Sequence, residues 1–122
     1  MAKRILLVED EPHIVEALSF VLMKEGFSVT VQSTGEGVLD RLASISPDLV
    51  ILDYMLPGQS GLQILTEMRE TERYADTPVL MLTAKGQTKD RAAAENAGVS
   101  RFMTKPFANS EIVAVAKELT RR

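Results

Sequence analysis

The sequence predicts an α/β fold: a doubly wound, five-stranded parallel sheet in the order 2-1-3-4-5, with five helices covering both faces. Three observations carry this. Five short β-branched or leucine-rich runs alternate with five stretches whose apolar residues recur at three- and four-residue spacing. The runs LVIL (49–52) and VLML (79–82) are apolar throughout, as strands buried on both faces must be. Right-handed crossovers then leave few ways to order five parallel strands, and 2-1-3-4-5 fits best.

The first strand is read over Arg4–Val8. The first helix has Pro12 in its first turn, where a missing N–H costs nothing; it carries Ile14, Leu18, Val21 and Leu22 and stops at Gly26. A second strand, Ser28–Val31, leads to a helix that follows Ser33-Thr34 and carries Val38, Leu39 and Leu42. The third strand is Leu49–Leu52, and its helix follows Ser60-Gly61 with Ile64, Leu65 and Met68. The fourth strand, Val79–Leu82, precedes a helix from about Thr88 to Ala97 that ends at Gly98. The fifth strand is Arg101–Thr104; the last helix follows Asn109-Ser110 and carries Ile112, Val115, Ala116 and Leu119. The fourth helix stands apart, because RAAAENAG (91–98) offers nothing apolar larger than alanine. Alanine favours helix but buries little area, so this helix is expected to be weakly anchored.

At 122 residues the chain is expected to form one domain spanning 1–122, large enough for its own core. A formal net charge of -3 provides no basic field for nucleic acid or an anionic membrane. The absence of Cys excludes a disulfide framework and thiolate metal sites, and fits a reducing compartment. The apolar runs are too short to span a bilayer, and the N-terminus lacks the apolar core of a signal peptide. The expectation is a cytoplasmic domain with no membrane association and no direct contact with nucleic acid.

Why does the apolar run Ile5–Val8 end in Glu9-Asp10-Glu11? Like charges about 4 Å apart repel by roughly 4 kcal/mol at an effective dielectric near 20, so positive charge is expected there. In a parallel sheet every strand ends on the same edge, where ligands bind at the switch in strand order. The three acids follow the first strand, Asp53 the third, Thr83 the fourth and Lys105 the fifth, so they converge. Clustered carboxylates suit a hard divalent cation, Mg²⁺ above all, with Mn²⁺ as the alternative ion. Lys105 suits a phosphoryl group, the Thr83 hydroxyl can donate to another phosphoryl oxygen, and Asp53 reads as a nucleophile forming an aspartyl-phosphate. Glu11, just before Pro12, is read as a helix cap, the ordinary role of an acid at that position.

Four motifs, VEDE (8–11), LDYMLPGQSG (52–61), LTA (82–84) and KPF (105–107), fall in order at the strand ends. Together they resemble the receiver domain of bacterial two-component response regulators, of the chemotaxis-regulator kind, over essentially the whole chain. The resemblance implies a flavodoxin-like fold that accepts a phosphoryl group on Asp53 from a sensor histidine kinase or a histidine phosphotransfer protein. It implies Mg²⁺ held by Asp10, Asp53 and the Met55 backbone carbonyl, with Glu9 acting through a water. Lys105 pairs with the phosphoryl group and precedes a cis proline, while Thr83 and Phe102 form the switch pair. Such a domain assists its own phosphorylation and dephosphorylation but is not a turnover enzyme.

The departures are as informative. Phe102 stands where many members have Tyr, so its two positions are expected to differ by packing alone. The alanine-rich fourth helix is expected to be the loosest element and to repack on phosphorylation. Met55 and Lys85 are expected to flank the route of a hydrolytic water. Where many DNA-binding members carry two acids before the aromatic and an arginine on the last helix, this chain has Ser100, Arg101 and Val115. That weakens the usual dimer, although self-association or an effector domain could still use the fourth-helix, fifth-strand, fifth-helix face. An aspartyl-phosphate phosphohydrolase fits poorly, because such enzymes place their nucleophile after the first strand with a second Asp two residues on, where this chain has Pro12. A phosphorylation-independent, receiver-like interaction module is the remaining alternative.

Overall fold

A computed structural model describes residues 2–84 and 88–121, with the backbone alone over 88–90. The elements are β1 (Arg4–Val8), α1 (Pro12–Lys24), β2 (Ser28–Gln32), α2 (Val38–Ile45), β3 (Leu49–Asp53) and α3 (Gly61–Glu70). A short 3₁₀ turn (Glu72–Tyr74) follows, then β4 (Val79–Ala84), α4 (Thr88–Ala97), β5 (Arg101–Lys105) and α5 (Asn109–Leu119). The strands pair in parallel in the order β2-β1-β3-β4-β5, as the alternation of elements predicts.

Alternation along the strands sorts the core into two layers. Leu6, Val8, Val50, Leu52, Val79 and Met81 face α2 and α3, meeting Val38, Leu42, Ile64, Leu65 and Met68. Ile5, Leu7, Leu49, Ile51, Leu80 and Leu82 face α1 and α5, meeting Leu18, Leu22, Ile112 and Ala116. Every residue of LVIL and VLML is fully buried, which is why those runs lack polar positions. Each such leucine contributes about 1.5–3 kcal/mol relative to exposure.

Four strands, β2 to β5, run one or two residues further than expected at the functional edge, so Asp53, Thr83 and Lys105 sit in the last rungs rather than beyond them. The second helix also departs from expectation. It begins at Val38 behind Gly37, and neither Ser33 nor Thr34 caps it. The intervening residues are instead tied into a loop: Gln32 Nε2 donates to the carbonyls of Thr34 (2.8 Å) and Glu36 (2.7 Å). Gly35 donates its N–H to Pro57 O (3.0 Å).

Among the described side chains of α4, Ala94 alone is fully buried. The helix is fixed at its C-terminal end by a charged group. Arg69 Nε donates to Gly98 O (2.8 Å) and Arg69 Nη1 to Tyr74 O (3.0 Å). Burial lowers the Arg69 guanidinium from its ordinary range, against the opposing field of Asp76. Gly98 has φ +95°, a left-handed turn that favours glycine, and a Cβ there would sit 3.3 Å from the Arg69 side chain, which would have to shift slightly.

Candidate functional site

Each acid of Glu9-Asp10-Glu11 takes a different direction. Glu9 turns inward and is fully buried, Asp10 is exposed, and Glu11 Oε1 accepts from His13 N–H (3.1 Å), capping α1 as expected. The Glu9 carboxylate is pinned by its neighbours' backbone, Oε2 accepting from the amides of Asp10 and Glu11, both at 3.1 Å. Lys105 Nζ reaches across from β5 to lie 3.1 Å from Glu9 Oε1 and 3.2 Å from Asp53 Oδ2. Asp53, 4% exposed, accepts at Oδ1 from the Met55 amide (3.2 Å). Residues from the ends of β1, β3 and β5 are thereby joined through one ammonium group.

Charge at this point is unbalanced. Carboxylate oxygens of Glu9, Asp10 and Asp53 lie within 4.8 Å of one another, and the three acids face a single lysine. The imbalance registers in Glu9, whose carboxyl is raised to about 7 by burial first and then by its closeness to Asp53. For Lys105, burial acts to lower its affinity for a proton, but Asp53 and Glu9 overcome this and hold it above the ordinary lysine range. Fully ionised, the cluster would carry two uncompensated negative charges. Oxygen donors with that excess suit a hard divalent cation. Thr83, the next residue after Asp53's register partner Leu82, is fully buried, and its Oγ1 has no hydrogen-bond partner among the described residues. A buried hydroxyl without a partner is costly.

The Lys105–Pro106 peptide is cis, as the resemblance implied. Beside it, an apolar cleft of about 400 Å³ opens between α1 and the start of α5, lined by Ile14, Ala17, Ala84 and Phe107. The loop after Asp53 is braced from outside the site. A Cβ on Gly35 would lie 1.8 Å from Gln59 O, so the 33–37 and 54–60 loops touch backbone to backbone.

Phe102 stands apart from the charged cluster. It is half-buried against the layer that includes Met81, its register partner, while Thr104 pairs with Thr83. The guanidinium of Arg91 on α4 lies over its ring, 5.9 Å from the centroid. In this placement a cation lies near the ring face in addition to the apolar packing. Arg101 pairs with Glu118 on α5 of the same chain, and Ser100 Oγ accepts from Val79 N–H (2.9 Å). Lys85 lies outside the described residues.

Of the residues that sequence reasoning set at this edge, the structure brings Glu9, Asp10, Asp53 and Lys105 together and leaves Thr83 buried on the neighbouring strand. That reasoning missed the direct Glu9–Lys105 contact, since three consecutive acids look alike until one is buried. It also missed Arg91 and Gly35, whose partners are distant in the chain and which no local pattern marks.

Among the described residues, no helix is long and apolar enough to cross a membrane. The model of the response regulator receiver domain family matches residues 5–117. The chain is 41% identical over all its 122 residues to the phosphate regulon transcriptional regulatory protein PhoB of Escherichia coli (strain K12), spanning 53% of that protein. It thus covers about half the length of such curated relatives. The crystal structure of a response regulator from Chloroflexus aurantiacus J-10-fl matches with TM-score 0.94 at 31% identity, over 100% of both chains. The signal receiver domain of a signal transduction histidine kinase from Syntrophus aciditrophicus matches with TM-score 0.90 at 27% identity, over 98% of this chain and 90% of that one. Expecting no contact with nucleic acid gains no support from a relative named as a transcriptional regulator.

Proposed function

Because this chain belongs to the response regulator receiver domain family of two-component signalling, we propose that Asp53 is its phosphoacceptor, and that a histidine kinase or histidine phosphotransfer protein is the donor. The observation that carries the reading is Lys105 Nζ, held 3.1 Å from Glu9 and 3.2 Å from Asp53. An Asp53 carboxylate oxygen attacks phosphorus; the new O–P bond forms as the donor's N–P bond breaks, and its electron pair returns to the imidazole. Lys105 compensates charge on the phosphoryl oxygens throughout, and the family of contacts that raises its proton affinity keeps it cationic. Thr83 Oγ1, without a partner among the described residues, donates to the phosphoryl group once it is attached, and Phe102 responds to that change.

Asp10, Asp53 and the Met55 carbonyl would hold Mg²⁺, or Mn²⁺ in its place, with Glu9 acting through a water. The ion, when bound, supplies the positive charge that lets an anionic donor approach three acids. The apolar cleft beside Lys105 suits the donor's helix, and the α4–β5–α5 face suits self-association or an effector domain. We take residues 1–122 as one receiver domain of a cytoplasmic protein, a signalling device rather than a turnover enzyme.

Intact mass after incubation with phosphoramidate tests this. One phosphoryl group is expected on wild type with Mg²⁺, and none without the ion or in Asp53→Asn. No addition to folded wild type would overturn the reading in favour of a phosphorylation-independent interaction module.

A further inference from the structure

We propose that Arg91 is a positioning residue that holds Phe102 in the half-buried placement seen here, and so sets how readily the domain leaves its resting state. The proposal rests on the phosphoacceptor reading and goes beyond it, to a residue outside the site.

Phe102 has no hydroxyl, so no hydrogen bond can fix its ring. Its polar contact is the Arg91 guanidinium, 5.9 Å from the ring centroid. Arg91 is steadied in turn by Glu95 one turn further along α4, Nε to Oε2 at 3.7 Å. The register pairs Met81 with Phe102 and Thr83 with Thr104. Residues two apart share a face, so Thr83 and Phe102 are diagonal neighbours on the layer that α3 and α4 cover. Thr83 brings a buried hydroxyl with no partner among the described residues. In the second state, as proposed, the ring has moved toward Thr83 and given up the Arg91 contact.

The rest of α4 makes this contact consequential. With Ala94 as its one fully buried described side chain, the helix gains little from apolar burial. Its C-terminal end is held by Arg69 at Gly98 O, and among its described side chains Arg91 reaches the Phe102 ring on β5. An exposed cation–π contact is weak enough to exchange, yet strong enough to bias two states by a factor of about two to five. A ligand that binds the second state then binds more tightly when the contact is removed, by that same factor.

The test uses the whole chain at saturating Mg²⁺, titrated with beryllofluoride as the phosphoryl mimic, while NMR follows the Phe102 ring. R91Q is expected to raise beryllofluoride affinity about two- to fivefold and to move the free protein's Phe102 resonances toward their bound positions. R91K, which keeps the cation, should retain most of the wild-type behaviour. In the Phe102→Leu background R91Q should change nothing. Unchanged affinity and resonances in R91Q would overturn the proposal. An equal gain in the Phe102→Leu background would overturn it too, by making the effect a general loosening of α4. Wild type that takes up no beryllofluoride would fail the phosphoacceptor reading separately, and whether R91Q moves the free protein's Phe102 resonances while R91K does not would still decide whether Arg91 holds the ring.

Discussion

Helices α3 and α4 cover the same face of the sheet and are held to it by opposite means. α3 buries Ile64, Leu65 and Met68 and starts with a reciprocal cap, Gln63 N–H donating to Ser60 Oγ (3.2 Å) and Ser60 N–H to Gln63 Oε1 (3.0 Å). Among its described side chains, α4 sets Ala94 and, partly, Ala97 against the core, and two arginines add polar contacts, Arg69 at its C-terminal end and Arg91 over Phe102. Apolar interdigitation is all-or-none at the scale of a side chain, whereas a cation over a ring or a carbonyl can be released at modest cost. The helix with the larger apolar anchor follows the loop after Asp53, and the one with the smaller anchor carries Arg91 over Phe102. On the proposed reading, geometry for chemistry and freedom for signalling are separated on one surface.

The largest effect should come from attacking the firm side. Leu65→Ala is expected to cost about 2–5 kcal/mol by loss of burial and cavity formation. Ala94→Gly should cost about 1 kcal/mol, mostly from helix propensity. Equal losses in denaturant unfolding would erase the contrast between the helices. So would hydrogen exchange in which α4 amides are as protected as those of α3.

Next in size is the charge of the site itself. Glu9 is held up to about 7 by burial and by Asp53, against 4.5 in an unperturbed chain. Between those values the native state keeps a proton that the unfolded state has lost, so metal-free stability falls as pH rises through that window. The loss should be on the order of 1–3 kcal/mol. Mg²⁺ should restore most stability near pH 7 and above, where the acids are ionised. Thermal unfolding in EDTA and in Mg²⁺ across pH 5 to 8 would measure this, and metal-free stability that rises with pH would contradict it.

The smallest change sharpens the picture of the loose side. Arg101 and Glu118 are 42% and 50% exposed in their side chains, so Arg101→Gln should cost less than about 1 kcal/mol and less still in high salt. A larger loss would make β5 and α5 a firmer unit than their solvent-exposed pairing implies.

How much of this was legible beforehand depends on whether the cause is local. LVIL and VLML announce central strands because no polar residue can sit between two covered faces. The acids, Thr83 and Lys105 were legible together because parallel strands all end on one edge. The start of α2 was not, since Ser33-Thr34 carry a cap's chemistry while Gly35 is engaged by Pro57 and Gln59. Nor was the path of Glu9, which shares its residue type with Glu11 two positions on yet points to the opposite environment. Arg91 was invisible for a related reason: its importance lies in a ring on a neighbouring strand.

The backbone contact between Gly35 and Gln59 has a consequence for exchanging parts between relatives. Two loops that meet with no room for a methyl group form a single transplantable piece. A graft of residues 54–60 into a homologue with any side chain at position 35 would drive that side chain into the incoming carbonyl. In such a homologue, chimaeras that move 33–37 and 54–60 together should therefore fold where one that moves 54–60 alone does not.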